Sequence, residues 1–299
     1  MTTAATHMTI TRAAARFSMF RLGKTLRGLA NYAVLIGLLV FFAFPIVFMV
    51  VMSFKIDAVQ VIRDLGSVKA FVPYGQLGLD NYAKVFQRID FPRYLFNTAI
   101  IIGFQLSFGL LFESMLAFAL ARLRWPGRNL VLTAVVLLII IPSTALTVPL
   151  LQLVNWLGWF DSYQVIIVPG MIVPLHVFLF YQFFISLPKD FDEAALVDGA
   201  SYWRIYWDIV LPMSRPVIAT VTILGFLAGW GNYLWPLLTT HSPDYWPIMV
   251  GLSYFRNLSP QVPAQIMAFS SMVVIPVLIV FGLFQKWFIR SIASTGIKG

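Results

Sequence analysis

One polar stretch, residues 186–215, concentrates the residue types that could do chemistry on a partner. It carries five acids, Asp190, Asp192, Glu193, Asp198 and Asp208, between two long apolar runs. Asp190, with Glu193 three residues on, makes a capping-box-like pattern that predicts a helix start. Ala194, Ala195, Leu196 and Val197 continue that helix. Gly199 is placed to end it in the left-handed conformation that glycine adopts without penalty. Ser201 then caps a second helix, Tyr202–Val210, which stops before Pro212. The expected unit is a helix–turn–helix whose paired alanines, Ala194 and Ala195, let another surface approach closely. Such a unit makes contacts between proteins; an amphipathic hairpin resting on lipid headgroups is the alternative. Glu193 reads either as the contact residue or as a capping partner alone.

The other chemistry-bearing residues are isolated. Glu113 stands alone inside an apolar run, where an acid is a functional candidate because burying its charge is costly. It either lines a solute path or pairs with another group near the inner mouth, since Arg122 follows shortly after. His176, in a different apolar run, reads as a neutral imidazole bonding the carbonyl that Pro174 frees. Trp230, Asn232, Tyr233 and Trp235 are clustered, and aromatic faces plus an amide suit a sugar ring. An interfacial aromatic belt explains Tyr233 and Trp235 without any ligand. Trp230, Asn232 and Glu113 are therefore the candidate solute-path residues. Gly225-x-x-x-Gly229 reads as a helix-packing pattern. Gly23-Lys24-Thr25 lacks the earlier glycine of a phosphate loop, Ser18 standing in its place, so the chain is not expected to bind ATP itself. With no cysteine and three scattered histidines, no catalytic residue, metal site or bound cofactor is expected.

These residues must be held by elements that live in lipid. Hydrophobic residues make up 60% of the 299-residue chain and charged residues 11%. Soluble domains run at about 45–50% and about 25%. Mean hydropathy is +0.84, and a soluble fold of this size has too little interior for so much apolar surface. The pattern predicts an all-α membrane protein with six transmembrane helices, at about 30–54, 94–121, 129–154, 163–187, 216–238 and 264–285. Each has the roughly 20 residues that crossing requires. Residues 1–29 form a basic leader, and residues 30–299 the transmembrane domain. Fourteen of the 21 Lys and Arg fall in the leader, the second-to-third loop, the fourth-to-fifth loop and the tail. That bias predicts both termini on the cytoplasmic side. The net charge of +9 is then a topology signal, not a nucleic-acid footprint. Pro45, Pro142, Pro149, Pro169, Pro174 and Pro276 lie inside the apolar runs and predict kinks or interruptions.

Glu193-Ala194-Ala195, then Gly199, nine intervening residues and Ile209-x-Leu211-Pro212 resemble the EAA signature of permease subunits of bacterial ATP-binding-cassette (ABC) importers. Ala119-x-Ala121-Arg122 followed by Pro126-Gly127, and the tail Gly296-Ile297-Lys298-Gly299, are similar to the six-span maltose-type permease of that family. The resemblance runs from about Asn97 to Gly299.

It implies a type I ABC importer permease fold in a bacterial cytoplasmic (inner) membrane. It also implies ATPase coupling through Glu193, Ala194, Ala195, Gly199, Ile209, Leu211 and Pro212, and an ATPase-contact tail at Gly296, Ile297, Lys298 and Gly299. The implied partners are a homologous second permease, two ATPase subunits that use ATP and Mg, and an extracytoplasmic solute-binding protein. The implied activity is import of a sugar or sugar-like solute by alternating access, with a disaccharide, an oligosaccharide, a polyol and a sugar phosphate all fitting. The outside loops Lys55–Arg93 and Thr239–Pro263 are the expected docking surfaces for the binding protein. The alternative, an ion-gradient-driven secondary transporter, calls for more buried acids than Glu113 or for internal repeats.

Overall fold

In the computed structural model the backbone is described from residue 3 to residue 296 and the side chains from 28 to 284. The leader's basic side chains, Gly23-Lys24-Thr25 and the side chains of the tail lie outside that range, and Ile297, Lys298 and Gly299 lie outside the described residues altogether. Among the described residues the chain is helical, the one extended pairing being an isolated bridge of Lys55 with Leu77.

Helix α1 (Thr3–Phe54) runs unbroken across residue 30, so leader and first span form one helix. Many of its apolar side chains, Leu39, Phe41 and Phe42 among them, are exposed, as lipid-facing residues must be, while Met52 near its end is buried against Val61 and Ala264. Two short helices, α2 (Ala58–Asp64) and α3 (Asp80–Arg88), then build a cap around Lys55. Asp90 accepts the Arg93 N–H at 3.1 Å and starts α4 (Phe91–Arg122), with Pro92 in the first turn, where no donor is needed.

The third expected span is not one helix. It is α5 (Arg128–Ile140), a 3-10 turn at Ser143–Leu146 and α6 (Thr147–Trp156), bent by 102°. Pro142 explains the break: it has no N–H to donate, and it forces Ile141 into an extended conformation (φ −71°, ψ 123°). The fourth span is interrupted locally but not sharply bent, as α7 (Tyr163–Ile167), a 3-10 turn at Val168–Gly170 and α8 (Pro174–Ser186), with Val173 extended before Pro174. A hairpin follows, made of α9 (Asp190–Val197), α10 (Tyr202–Ile205), a π-turn at Tyr206–Val210 and α11 (Leu211–Met213). The fifth expected span divides into α12 (Arg215–Trp230) and α13 (Leu234–Thr239). Gly231 ends α12, and Pro236 cannot supply the bond that would carry the helix through. After α14 (Ile248–Asn257), helix α15 (Pro263–Gly296) forms the last span and packs along α1. Among the described residues four stretches, Gly28–Phe54, Phe91–Arg122, Tyr163–Ser186 and Pro263–Phe284, are long and apolar enough to cross a membrane, and up to six spans result if the bent pairs Arg128–Ile140 with Ser143–Trp156 and Tyr202–Met213 with Arg215–Trp230 each count as one.

Helix α4 is the hub, packing against both α8 and α12. Toward the Arg122 end, Ala117, Leu120 and Ala121 meet Phe180, Phe184, Ile205 and Tyr206. Toward the other end, Tyr94 and Ile102 meet Trp230, Ile248 and Phe269. Gly225 and Gly229 of α12 face Leu106 and Ile102 of α4, where an added Cβ would come within 2.7 and 2.9 Å of those side chains. The glycine pair therefore lets these two helices close together, as its spacing predicts.

Candidate functional site

The residues of the hairpin fold as a tight unit at one end of the bundle. Gly199 has φ +78°. The Ala200 N–H bonds the Ala195 carbonyl at 2.9 Å and the Gly199 N–H bonds that of Leu196 at 3.1 Å, which is the Schellman closure of a helix. The Ser201 hydroxyl accepts the Arg204 N–H at 3.3 Å and starts the second arm. Pro212 has no N–H for the Asp208 carbonyl, and the arm widens into the π-turn just before it. Ile209 and Leu211 pack against the core, while Glu193 and Ala194 are exposed.

The start of the hairpin differs from expectation. The residue preceding α9 is Lys189, and no side chain caps the helix. Asp190 already lies inside the first turn, so the Asp190–Glu193 capping box does not form. The three acids Asp190, Asp192 and Glu193 there still oppose the positive end of the helix dipole.

Two links tie the hairpin to α4. Arg122 Nε lies 3.2 Å from Asp192 Oδ2, with the arginine side chain 3% exposed, and Arg122 also donates to the Leu187 carbonyl at 3.0 Å. The Tyr206 and Ser114 hydroxyls share a hydrogen bond of 2.8 Å. Burial pushes the Asp192 carboxyl above its usual range, with Arg122 pulling part of the way back. Sequence reasoning missed this tie: Arg122 read as a topology charge, and Asp192 as one acid among five.

The second locus lies between α4, the interruption of the fourth span and α12. There a cavity of about 260 Å³ is lined by Gln105, Glu113, His176 and Asn232 among others. A second cavity, of about 340 Å³, adjoins it, and Gly170 and Asn232 line both. Glu113 is buried and its Oε1 accepts the Val173 N–H at 2.8 Å. The same oxygen lies 3.1 Å from His176 Nδ1. His176 thus pairs with Glu113 and not with a carbonyl freed by Pro174; no sequence pattern joins residues 63 positions apart. Trp230 lies in the core, stacked on Phe226 at 5.5 Å, and lines neither cavity. Trp235 lines the second cavity and donates its indole N–H to the Val165 carbonyl at 2.7 Å. The structure therefore brings Glu113 and Asn232 to one cavity and holds Trp230 apart. Among the described residues no group of three or more His, Asp or Glu is placed to hold a metal ion.

Comparison with known proteins places these features in context. Residues 109–294 match the family described as binding-protein-dependent transport system inner membrane component. The arabinooligosaccharides transport system permease protein AraQ of Halalkalibacterium halodurans is 32% identical over 257 residues, covering 86% of this chain and 91% of that protein. The trehalose/maltose transport system permease protein MalG of Thermococcus litoralis is also 32% identical, over 261 residues, with the same shares covered. The sn-glycerol-3-phosphate transport system permease protein UgpE of Yersinia enterocolitica is 35% identical over 204 residues, covering 67% of this chain and 72% of that protein. In fold, the chain matches a crystal structure of a bacterial ABC transporter involved in the import of the acidic polysaccharide alginate. The TM-score is 0.79 at 23% identity, over 88% of this chain and 96% of the other.

Proposed function

The chain belongs to the family of binding-protein-dependent transport system inner membrane components, and from that premise we propose that it is the coupling and solute-path subunit of an ATP-driven importer of sugars or sugar-like solutes. It is a multi-pass inner-membrane permease subunit of the ABC importer type. The finer reading assigns the jobs of its parts. Both termini and the hairpin face the cytoplasm, in keeping with the Lys and Arg distribution. The hairpin, with Glu193, Ala194 and Ala195 on its outer arm and Gly199 at its turn, seats in a cleft of a separate ATPase, which binds ATP and Mg. The tail Gly296–Gly299 reaches the same partner. A second permease completes the path, and a solute-binding protein docks on the opposite face, on loops 55–93 and 239–263.

Transport then follows from differential affinity. ATP favours the closed ATPase pair, and closing it moves the hairpins. The Arg122–Asp192 and Tyr206–Ser114 links make α4 move with the hairpin, and α4 forms a wall of the central cavity. Asn232, on both cavities, is the residue proposed to meet the solute. Glu113 lines the same path, while Trp230 supports it from behind. The relatives named for arabinooligosaccharides, trehalose or maltose, and sn-glycerol-3-phosphate share polyhydroxylated solutes, and the amides of Asn232 and Gln105 suit hydroxyl groups.

The observation that carries this reading is the hairpin itself, pinned from behind and exposed in front. Purification of the chain from its native membrane in mild detergent tests it. A second permease and an ATPase are expected to co-purify at stoichiometric levels, with ATP hydrolysis. A chain that emerges alone from several mild detergents, without ATPase activity, overturns the coupling role.

A further inference from the structure

Three residues on one face of α4, each about one turn apart, meet the interruption of the fourth span. Gln105 Nε2 donates to the Ile166 carbonyl at 2.9 Å and reaches that of Ile167 at 3.5 Å. Gly109 lies against the Met171 carbonyl, so that a Cβ added to it would sit 2.6 Å from that oxygen. Glu113 accepts the Val173 N–H at 2.8 Å. The spacing i, i+4, i+8 puts all three in one row, and they meet the segment in its chain order.

The segment needs outside partners. Pro169 and Pro174 have no N–H, so the carbonyls of Val165 and Gly170 lose their in-helix donors. Val173 would bond the Pro169 carbonyl in a regular helix and bonds Glu113 instead. The Val165 carbonyl is taken by the Trp235 indole. At membrane depth such irregular backbone is tolerated only where protein or a cavity satisfies it. Gly170 and Asn232 line both cavities, so where this segment sits decides the shape of the wall between them.

We propose that Gln105, Gly109 and Glu113 form a socket that fixes residues 166–173 on the cavity wall, with Glu113 as a positioning residue for the backbone. This goes beyond the importer reading, and its test requires no transport. The native chain has no cysteine, so Met171→Cys introduces one thiol on the segment. The whole chain, in membranes with its native partners, is treated with a water-soluble maleimide and the labelling rate is read. Adding Glu113→Ala is expected to raise that rate about tenfold, the scale of one lost hydrogen bond. Glu113→Gln keeps an acceptor oxygen and is expected to stay within about twofold of the parent. Gly109→Ala, which displaces the Met171 carbonyl, is expected to act like Glu113→Ala. A cysteine at Val68 instead, exposed in the loop after α2, serves as the control and should label at one rate in every background.

A Glu113→Ala rate equal to the parent, or a Glu113→Gln rate raised as much as that of Glu113→Ala, overturns the socket. If Glu113→Ala does not accumulate, Gly109→Ala decides, and an unchanged rate there overturns it equally. Labelling as expected in a chain that binds no ATPase would sink the importer reading and leave the socket standing.

Discussion

Two polar segments outside the spans treat their charges in opposite ways. In residues 55–93, Lys55 Nζ donates to Asp64 Oδ2 at 2.7 Å and to the Lys69 carbonyl at 2.8 Å, and it lies 4.5 Å from the centre of the Tyr74 ring. The Tyr74 hydroxyl donates to Asp64 Oδ1 at 2.6 Å, and Asn81 donates to the carbonyls of Ser53 and Lys55. Both members of the Lys55–Asp64 pair are fully buried, which Lys and Asp reach only when paired. The hairpin does the reverse. It is held at the rear by Arg122 and Ser114 of α4, and it leaves Glu193, Ala194 and Val197, the last 88% exposed, with no cover. The first segment is closed at its interior, where the buried polar groups answer one another, whatever docks on its outer face. The second is half of an interface.

If that contrast is right, the largest effect of a single substitution on the amount of folded chain belongs to the closed segment. Lys55→Met leaves Asp64 buried without its cation, and the membrane-inserted chain is expected to fall several-fold, as judged by immunoblot of the membrane fraction. An unchanged amount breaks the comparison. The acid response follows from the same pair. Lys55 and the Tyr74 hydroxyl hold the Asp64 carboxyl below its usual range. A depressed folded pKa gives stability that is present above the unfolded value and lost as pH falls through the folded one. The cap should therefore resist acid down to about pH 4 and open only below it.

The rear of the hairpin comes next. Arg122→Ala strands the Asp192 carboxylate and frees the Leu187 carbonyl, a loss of about 3 kcal/mol in hairpin docking at neutral pH. Faster proteolysis after Lys189 or Arg204 is the measurement. Here the pH sign is opposite to that of the cap. Burial raises Asp192, so its favourable contribution is full below the unfolded carboxylate value and is lost as pH rises through the raised one. The variant's cleavage rate, normalised to that of a fully exposed site, should climb with pH above the ordinary carboxylate range more steeply than the parent's.

The turn should cost less. Gly199 has φ +78° and nothing within 4 Å of an added Cβ, so Gly199→Val is penalised by backbone conformation alone, by about 1–2 kcal/mol. Gly199→Asn, which tolerates that conformation, should be milder. Equal proteolysis of the two variants would show that the turn does not need its left-handed residue.

How much of this was legible in the sequence follows from which interactions are local. Hydropathy marks the lipid-spanning runs because each span must be apolar in itself. The hairpin's turn is legible in Gly199 because the left-handed conformation is a one-residue requirement. Pro142 signals a kink, but a bend of 102° depends on what packs against the freed ends, and that is not local. The division of the fifth span at Gly231 is hidden because Gly and Asn are tolerated in membrane helices. The start of α9 is misjudged because Asp190 caps as readily as it fills a first turn. Glu113 with His176, Arg122 with Asp192 and Gln105 with Ile166 are invisible for one shared reason: each joins different helices, and only packing decides which faces meet. Trp230 reads as a ligand residue by type, yet its register on α12 turns it into the core with Ile102, Ile248 and Phe269, away from both cavities.

The smallest effect on folding falls on the residue with the most to say about function. Glu193 is exposed and has no hydrogen-bonded side-chain partner within the hairpin's described contacts. Replacing an exposed residue of this kind changes stability by no more than about 0.5 kcal/mol, so Glu193→Ala should match the parent in membrane abundance and in proteolysis of the hairpin. If the exposed face is half of an interface, the same substitution should still weaken co-purification of the ATPase by about tenfold, the scale of a well-placed contact residue. Loss of both together would mean that Glu193 holds the hairpin's own fold, and the contrast with residues 55–93 would disappear. Loss of neither would leave the exposed face without the partner that its shape requires. Only loss of association with folding intact separates a surface that is stabilised from behind from one that is completed from in front.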